Sequence, residues 1–407
     1  MSRCIRGLAI ALGPCLCLMV LVGCGAASQH TGLRVNHAPT WNYVDLPGQH
    51  SGLRSAIYDR SRNWVWIMSR QRGEMADDPM FVTLIRLNVA DRSTVATPFK
   101  MPATGYIGGS LAIDSHGKIW MGWGRTLATF DPDPGTTRSW SLPSYSGLVK
   151  QYGDGLDGNM VSLTIDPDGE VWVAAYSVSA VFGFNPSTSS WDHTVNLKFV
   201  PVRGAGLAAP RQGILTITGV ALNGGAIAAT APSVFAVITT SSGVVRTLPA
   251  HVGDYVVTGS DEIVYSDYSG NLANLKLTDG MSTPIATGVP LGGSPSAELA
   301  LDSKGHLWFE LRAYRSVGVA EVNLTTGAIT RFNFPYVIDP GGPGPASTPC
   351  PPGAFHCIPD NAVADPGIQS IVVDQRDNVW VVTEAPAKDE PNQRSPVTPV
   401  VELQTSS

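Results

Sequence analysis

One phrase recurs along this chain and limits its fold more than any other feature: an alternating apolar strand ending in Asp, a turn, and a second strand carrying Trp. Three copies keep Asp, Gly and Trp at one spacing: Ser110-Leu-Ala-Ile-Asp114-Ser-His-Gly117-Lys-Ile-Trp120, Ser162-Leu-Thr-Ile-Asp166-Pro-Asp-Gly169-Glu-Val-Trp172, and Glu298-Leu-Ala-Leu-Asp302-Ser-Lys-Gly305-His-Leu-Trp308. Two more depart slightly. Ala56-Ile-Tyr-Asp59 reaches Trp66 with one extra residue, and Ile371-Val-Val-Asp374 reaches Trp380 with Asp377 and Asn378 where Gly is expected. Asn and Asp tolerate positive φ better than other non-glycine residues, so that turn is retained. Two degenerate copies without Trp are read at Leu215 to Ala229 and Tyr255 to Tyr265, for a total of seven.

Each clear copy is followed by a third and a fourth strand, as in Leu127-Ala-Thr-Phe130 and then Arg138-Ser-Trp-Ser-Leu-Pro143. The fourth strands share an ending, in Lys100-Met-Pro102, Ser141-Leu-Pro143, Arg246-Thr-Leu-Pro249 and Asn333-Phe-Pro335. Proline suits an outer edge, where its missing N–H leaves no partner unsatisfied. Four strands per repeat, with the intact Trp ladder stepping by about 52 to 54 residues, describe the blades of a β-propeller. The expected fold is therefore all-β, with seven four-stranded blades. Trp41-Asn-Tyr-Val-Asp-Leu-Pro47 carries a fourth-strand ending but stands before the first copy, and the last copy stops at Val400-Val-Glu-Leu403. The N-terminal strand is thus expected to complete the C-terminal blade. The repeated Asp, Gly and Trp are read as structural: Asp caps the turn, Gly supplies its conformation and Trp packs between blades. Asp166-Pro-Asp168-Gly169 opens like a calcium loop, but the remaining ligands of such a loop do not follow.

Composition agrees with this class. The chain has 43 Gly, 31 Pro and ten Trp, with 43% hydrophobic and 15% charged residues, enough apolar material for a core and many tight turns. Its net charge of −6 and the lack of a basic cluster argue against nucleic acid as a partner.

Arg3 and Arg6 precede an apolar stretch from Gly7 to Val22 that ends in Leu21-Val22-Gly23-Cys24. That layout is a secretory signal peptide over residues 1–23, and its end resembles the lipobox of bacterial lipoproteins, which implies a lipid on Cys24. A membrane-spanning anchor is the competing reading, although the apolar run is short for a bilayer and is broken by Gly13 and Pro14. Residues 24–40 are read as a tether and 41–407 as one propeller domain. Gly25, rather than an acid after the cysteine, permits transfer to the outer membrane if the source is Gram-negative, so the expected location is the cell envelope, facing the periplasm or the exterior. Cys350 and Cys357 are the remaining pair in the exported part, inside a Pro- and Gly-rich insertion at 336–367. They are expected to form a disulfide; a metal site with His356 is the weaker alternative.

The stretch Asp302-Ser-Lys-Gly305-His-Leu-Trp308-Phe309-Glu310, continuing to Val317-Gly318-Val319 and Thr326-Gly327-Ala-Ile-Thr330, resembles the repeats of streptogramin (virginiamycin B) lyases. It is also similar to the propeller repeats of two-component sensors. For the lyases the resemblance implies a magnesium-assisted elimination that opens a cyclic depsipeptide ester, with His and Glu near the mouth of the central channel. This chain departs from the lyase pattern. It lacks the His-Gly pairs before the first strands, Glu310 falls one place early, and only Glu384 and His50 approximate the working positions. No catalytic residue and no cofactor are assigned, magnesium being required only by the lyase reading.

In a propeller, the loops joining second to third strands gather with the blade-to-blade links on one face, and function concentrates on such loops. That face is expected to hold His50, Arg72, Arg125, Tyr152, Asp154, Glu310, Arg312 and Glu384. Mixed charges and tyrosines on long loops suit a polar ligand or an envelope protein. The sequence is thus read as a lipid-anchored binding or scaffold propeller of the cell envelope, with a magnesium-dependent lyase as the alternative.

Overall fold

The structure, a computed structural model, describes residues 34–35, 40–44, 46–47, 52–71, 81–97, 101–102, 109–145, 158–201, 205–223, 226–227, 233–267, 269–289, 299–313, 316–333, 368–383 and 400–405. They form seven sheets, antiparallel apart from one short parallel pairing, and, among the described residues, no helix. Blade 1 is Gly52–Asp59, Trp64–Gln71, Phe81–Asn88 and Thr94–Ala96, with Met101–Pro102 pairing again with the third strand. Blade 2 is Ser110–Ile113, Ile119–Trp123, Thr126–Asp131 and Thr136–Ser141; blade 3 is Met160–Ile165, Val171–Ala175, Ala180–Asn185 and Ser190–Asn196. Blade 5 is Asp254–Gly259, Glu262–Ser266, Leu272–Lys276 and Ser282–Ala286, and blade 6 is Ala300–Leu301, His306–Ala313, Ser316–Asn323 and Ile329–Asn333. Blade 7 is Ile368–Val373, Val379–Thr383 and Val400–Gln404, completed by Thr40–Val44 from the N-terminal side.

The Asp turn is a small hydrogen-bonded unit. In blade 3, Asp166 Oδ1 accepts the backbone N–H groups of Asp168 and Glu170, both at 3.0 Å, and Oδ2 accepts Trp172 Nε1–H at 3.1 Å. The same carboxylate-to-indole bond occurs at Asp59–Trp66 (3.4 Å), Asp114–Trp120 (2.9 Å), Asp302–Trp308 (3.2 Å) and Asp374–Trp380 (3.0 Å). One side chain thus fixes the turn and aims the ring of the next strand. Asp377 stands at φ +62° where Gly117, Gly169 and Gly305 serve the other turns, so a tolerant acid does replace the glycine there.

Indoles fill five of the seven gaps between blades. Trp172 packs with Leu215, Ile217, Ala236 and Ile238 of the next blade, and Trp308 with Ile371, Val379 and Val381. Seven apolar clusters, one in each gap around the ring, form the core; five hold an indole, and the two flanking blade 5 are built without one. Burying one indole of roughly 150–250 Å² contributes about 4–6 kcal/mol before entropy is counted.

Blade 4 differs from the sequence reading. Its second, third and fourth strands are Ile214–Asn223, Ser233–Thr239 and Val244–Leu248, and its inner position is shared by two short segments, Phe199–Val200 and Leu207–Arg211. The proposed copy from Leu215 to Ala229 therefore starts one strand late: Leu215 lies on the second strand. The Asp and Trp that would mark the register are missing, and Tyr255 takes their place. Its buried hydroxyl donates to Thr216 O at 2.8 Å and meets Thr216 Oγ1 at 3.0 Å, tying blade 5 to blade 4. Burial pushes the Tyr255 phenol upward from its ordinary value, which keeps it a neutral donor.

Ring closure is a latch. Thr40–Val44 pairs antiparallel with Val400–Gln404, Trp41 opposite Leu403 and Tyr43 opposite Val401. Across the joint, the buried Glu402 Oε2 accepts from Asn42 Nδ2 at 3.0 Å and from Arg92 Nε of blade 1 at 2.7 Å. The latch gives the last blade its fourth strand, and a closed propeller leaves only short, protected edges. Part of the expected tether is also paired: Arg34–Val35 runs parallel to the outer strand of blade 6, beside Thr330 and Arg331.

Candidate functional site

Consecutive antiparallel strands divide the ring's connections between two faces. The loop face carries the second-to-third turns and the blade-to-blade links; the turn face carries the Asp turns and the third-to-fourth turns. On the loop face, blades 2 and 3 enclose a cleft of about 170 Å³ lined by Arg125, Pro143, Ser144, Tyr145, Gly158 and Phe182 among others.

Backbone pairing builds its walls. Leu142 N–H donates to Arg125 O at 2.8 Å and Arg125 Nη2 donates to Pro143 O at 3.2 Å, folding the turn of blade 2 onto the link to blade 3. Tyr145 spans the cleft, donating to Asn196 Oδ1 at 2.9 Å and approaching Ser179 O at 3.2 Å, with its ring edge-on to Phe182 at 5.8 Å. Beside the floor, Met160 N–H meets Gly124 O at 2.6 Å and Tyr176 N–H meets Asn159 O at 2.7 Å. Ser177 follows at φ +60°, wholly buried. Two buried polar atoms here have no partner: Asn159 Nδ2 and Ser177 Oγ. Unsatisfied buried groups cost about 1–3 kcal/mol each, and positive φ on serine adds strain. Such costs concentrate at functional positions.

Of the residues expected on this face, Arg125 lies there, exposed and lining the cleft. Glu310 lies within the second strand of blade 6, 1% exposed, with Oε1 accepting Ile368 N–H of blade 7 at 3.3 Å. It joins two blades. Arg312 belongs to the same strand, His306–Ala313, and its side chain is outside the described residues. His50, Arg72, Tyr152, Asp154 and Glu384 also lie outside them, as do Cys24, Cys350 and Cys357.

The turn face is polar and cross-linked. Arg62 donates to Asp59 Oδ2 at 3.0 Å, Gly117 O at 3.1 Å and Asp133 Oδ2 at 2.9 Å, joining blades 1 and 2. Burial works against ionisation of Asp59, but hydrogen bonds from Ser61, Arg62 and Trp66 prevail and hold its carboxyl below the ordinary value. Ser303 and Lys304 of blade 6 likewise meet Asp377 of blade 7. In blade 3, Glu170 Oε1 lies 2.6 Å from His193 Nδ1, and burial raises the Glu170 carboxyl despite that imidazole. Arg62 and Asp59 share one turn, but the other pairs are assembled across blades or across strands, and sequence patterning carries no sign of them.

No protein-family model matches the chain, and no curated protein matches it. Solved structures do. A catalytically inactive virginiamycin B lyase from Staphylococcus aureus with quinupristin superposes with a TM-score of 0.57 at 14% identity, over 90% of this chain and 99% of that one. A streptogramin B lyase gives 0.56 at 12% identity, over 90% and 98%. The chain is a seven-bladed β-propeller. The extracellular domain of a putative hybrid two-component system from B. thetaiotaomicron also matches this propeller, with a TM-score of 0.54 at 10% identity, over 90% of this chain and 42% of that one. The likeness to lyase and sensor repeats thus holds for the fold. A lyase and a sensor share it, so the fold alone does not choose between catalysis and binding.

Proposed function

We propose that this is a binding propeller of the cell envelope, held through lipidated Cys24, whose loop face takes a polar ligand or protein partner. The observation that carries the reading is the cleft between blades 2 and 3. It combines a guanidinium at Arg125 with a bridging phenol at Tyr145. Such a set suits an acceptor-rich group, and Arg and Tyr are the residue types that anchor recognition surfaces. At about 170 Å³ the cleft fits one functional group of a partner, since sites for whole drug-sized ligands run to roughly 300–1,000 Å³. The similarity to a sensor's extracellular domain supports an envelope address by analogy. The lyase reading rests on the fold it shares with the streptogramin lyases, and Glu310, its nearest match in that strand, serves a backbone N–H.

The two readings separate in one experiment. The mature protein is incubated with quinupristin and magnesium while ring opening is followed by mass, and in parallel it is used to capture envelope components. No ring opening, together with a captured component lost in Arg125→Ala, is the expected result. Magnesium-dependent ring opening would overturn it.

A further inference from the structure

Among the described residues, one group of side chains could close around a metal ion, and it lies on the turn face of blade 6, away from the cleft: Asp302, His306 and Glu321. His306 Nδ1 stands 3.1 Å from Asp302 Oδ2 and 3.5 Å from Glu321 Oε2. With ligand bonds of about 2.0–2.2 Å and ordinary angles between them, neighbouring donor atoms stand about 3–3.5 Å apart. The three side chains are 2%, 23% and 18% exposed in that order, so the cluster is sheltered but open to solvent on one side.

The corresponding places in other blades show which part of this is ordinary. Four residues after the turn Asp stand Lys118, Glu170, His306 and Asn378. Asn378 Nδ2 donates to Asp374 Oδ2 at 3.0 Å, and a His306 Nδ1–H would serve Asp302 in the same way. That accounts for one N–H and one carboxylate. It leaves the approach of Glu321 to the same nitrogen unexplained, because a single N–H makes a good bond to one acceptor and the Glu321 carboxylate already has a hydrogen bond with Thr330. In blade 3 the order is reversed and smaller: Glu170 meets His193 alone, and the imidazole stacks on Trp172 at 5.8 Å.

We propose that Asp302, His306 and Glu321 form a three-ligand site for a divalent transition-metal cation, with Zn²⁺ the best match and water in the remaining position. Two carboxylates neutralise the ion, and one imidazole nitrogen in an otherwise oxygen set favours a borderline metal over Mg²⁺, which prefers oxygen throughout. The supporting hydrogen bonds are in place. Asp302 Oδ1 accepts the N–H groups of Lys304 at 2.9 Å and His306 at 2.8 Å, and Oδ2 accepts Trp308 Nε1–H at 3.2 Å. Burial raises the Glu321 carboxyl, while His306 and a hydrogen bond with Thr330 pull it down. Outer partners of this kind orient metal ligands.

The test is a calorimetric titration of the metal-stripped protein with Zn²⁺ and, separately, Mg²⁺, comparing wild type with His306→Asn and Glu321→Gln. Asn at position 306 copies blade 7 and keeps the bond to the turn Asp, so the blade is expected to fold; circular dichroism checks this, and Glu321→Gln decides if it does not. One Zn²⁺ site weakened by about 10-fold or more in each folded variant, with no saturable Mg²⁺ binding there, is the expected result. Zn²⁺ binding unchanged in either folded variant overturns the proposal, as does a wild-type protein that binds no Zn²⁺.

Discussion

Replacing Asp166 by Ala tests whether the repeated Asp stabilises the ring mainly through the turn or through the indole. Asp166 is 6% exposed and Trp172 is wholly buried. The substitution removes two bonds to turn N–H groups and the bond to Trp172 Nε1–H. Water can reach the turn, so its loss resembles a missing helix cap, about 0.5–2 kcal/mol. The indole N–H has no such escape, and an orphaned buried donor costs about 1–3 kcal/mol. The expected total is about 2–5 kcal/mol. If the ring of about 370 residues unfolds as one unit, an unfolding entropy near 2.1 cal/mol/K per residue turns this into about 3–6 °C in Tm. Asp267→Ala is the control: Asp267 caps a turn through Ser269 N, Asn271 N and Asn271 Nδ2 and holds no indole, so it should lose only the smaller part. Thermal unfolding of both variants, with Trp172→Phe in the Asp166→Ala background, separates the contributions. Equal losses at Asp166 and Asp267 would refute the argument that the indole bond carries the larger share.

Glu402→Ala should cost about 1–3 kcal/mol, discounted because its partner Arg92 is 38% exposed, and hydrogen exchange should speed up first at 40–44; unchanged protection there would deny the latch. Gly270→Ala should destabilise more than Gly169→Ala: both sit at positive φ, but a Cβ at 270 would stand 2.3 Å from Val289 O whereas one at 169 meets nothing within 4 Å. The second change should cost about 1–2 kcal/mol for the backbone alone, and denaturant midpoints that rank the two the other way would be inconsistent with this packing. Acid should weaken the ring. Against burial, hydrogen bonds hold Asp59, Asp267 and Asp377 below the ordinary carboxyl value, so their contribution is full above about pH 4 and is lost as pH falls through their lower folded values. Burial raises Glu170 and Glu321, which acts in the opposite sense just above that range. Urea midpoints that stay flat from pH 5 to 2.5 would contradict the assignment.

The repeat is legible in the amino-acid order alone because its parts are close in sequence. Asp, turn and Trp form a local unit: the carboxylate that caps the turn is six residues from the indole it holds, so the unit can be read wherever both remain. Blade number and closure are legible for the same reason, since the displaced strand ending at Leu46-Pro47 leaves the last blade one strand short. Blade 4 is displaced by one strand in that reading because its marker pair is absent and its substitute, Tyr255, is 39 residues from the Thr216 that it bonds. Which loop residues meet is settled by the folded ring and by nothing nearer in sequence. The cleft joins Arg125 to Tyr145 and Phe182 through links between two blades, Glu402 finds Arg92 310 residues away, and Glu321 reaches His306 across paired strands. Those encounters depend on strand register and ring geometry, which act over distances that no local spacing encodes.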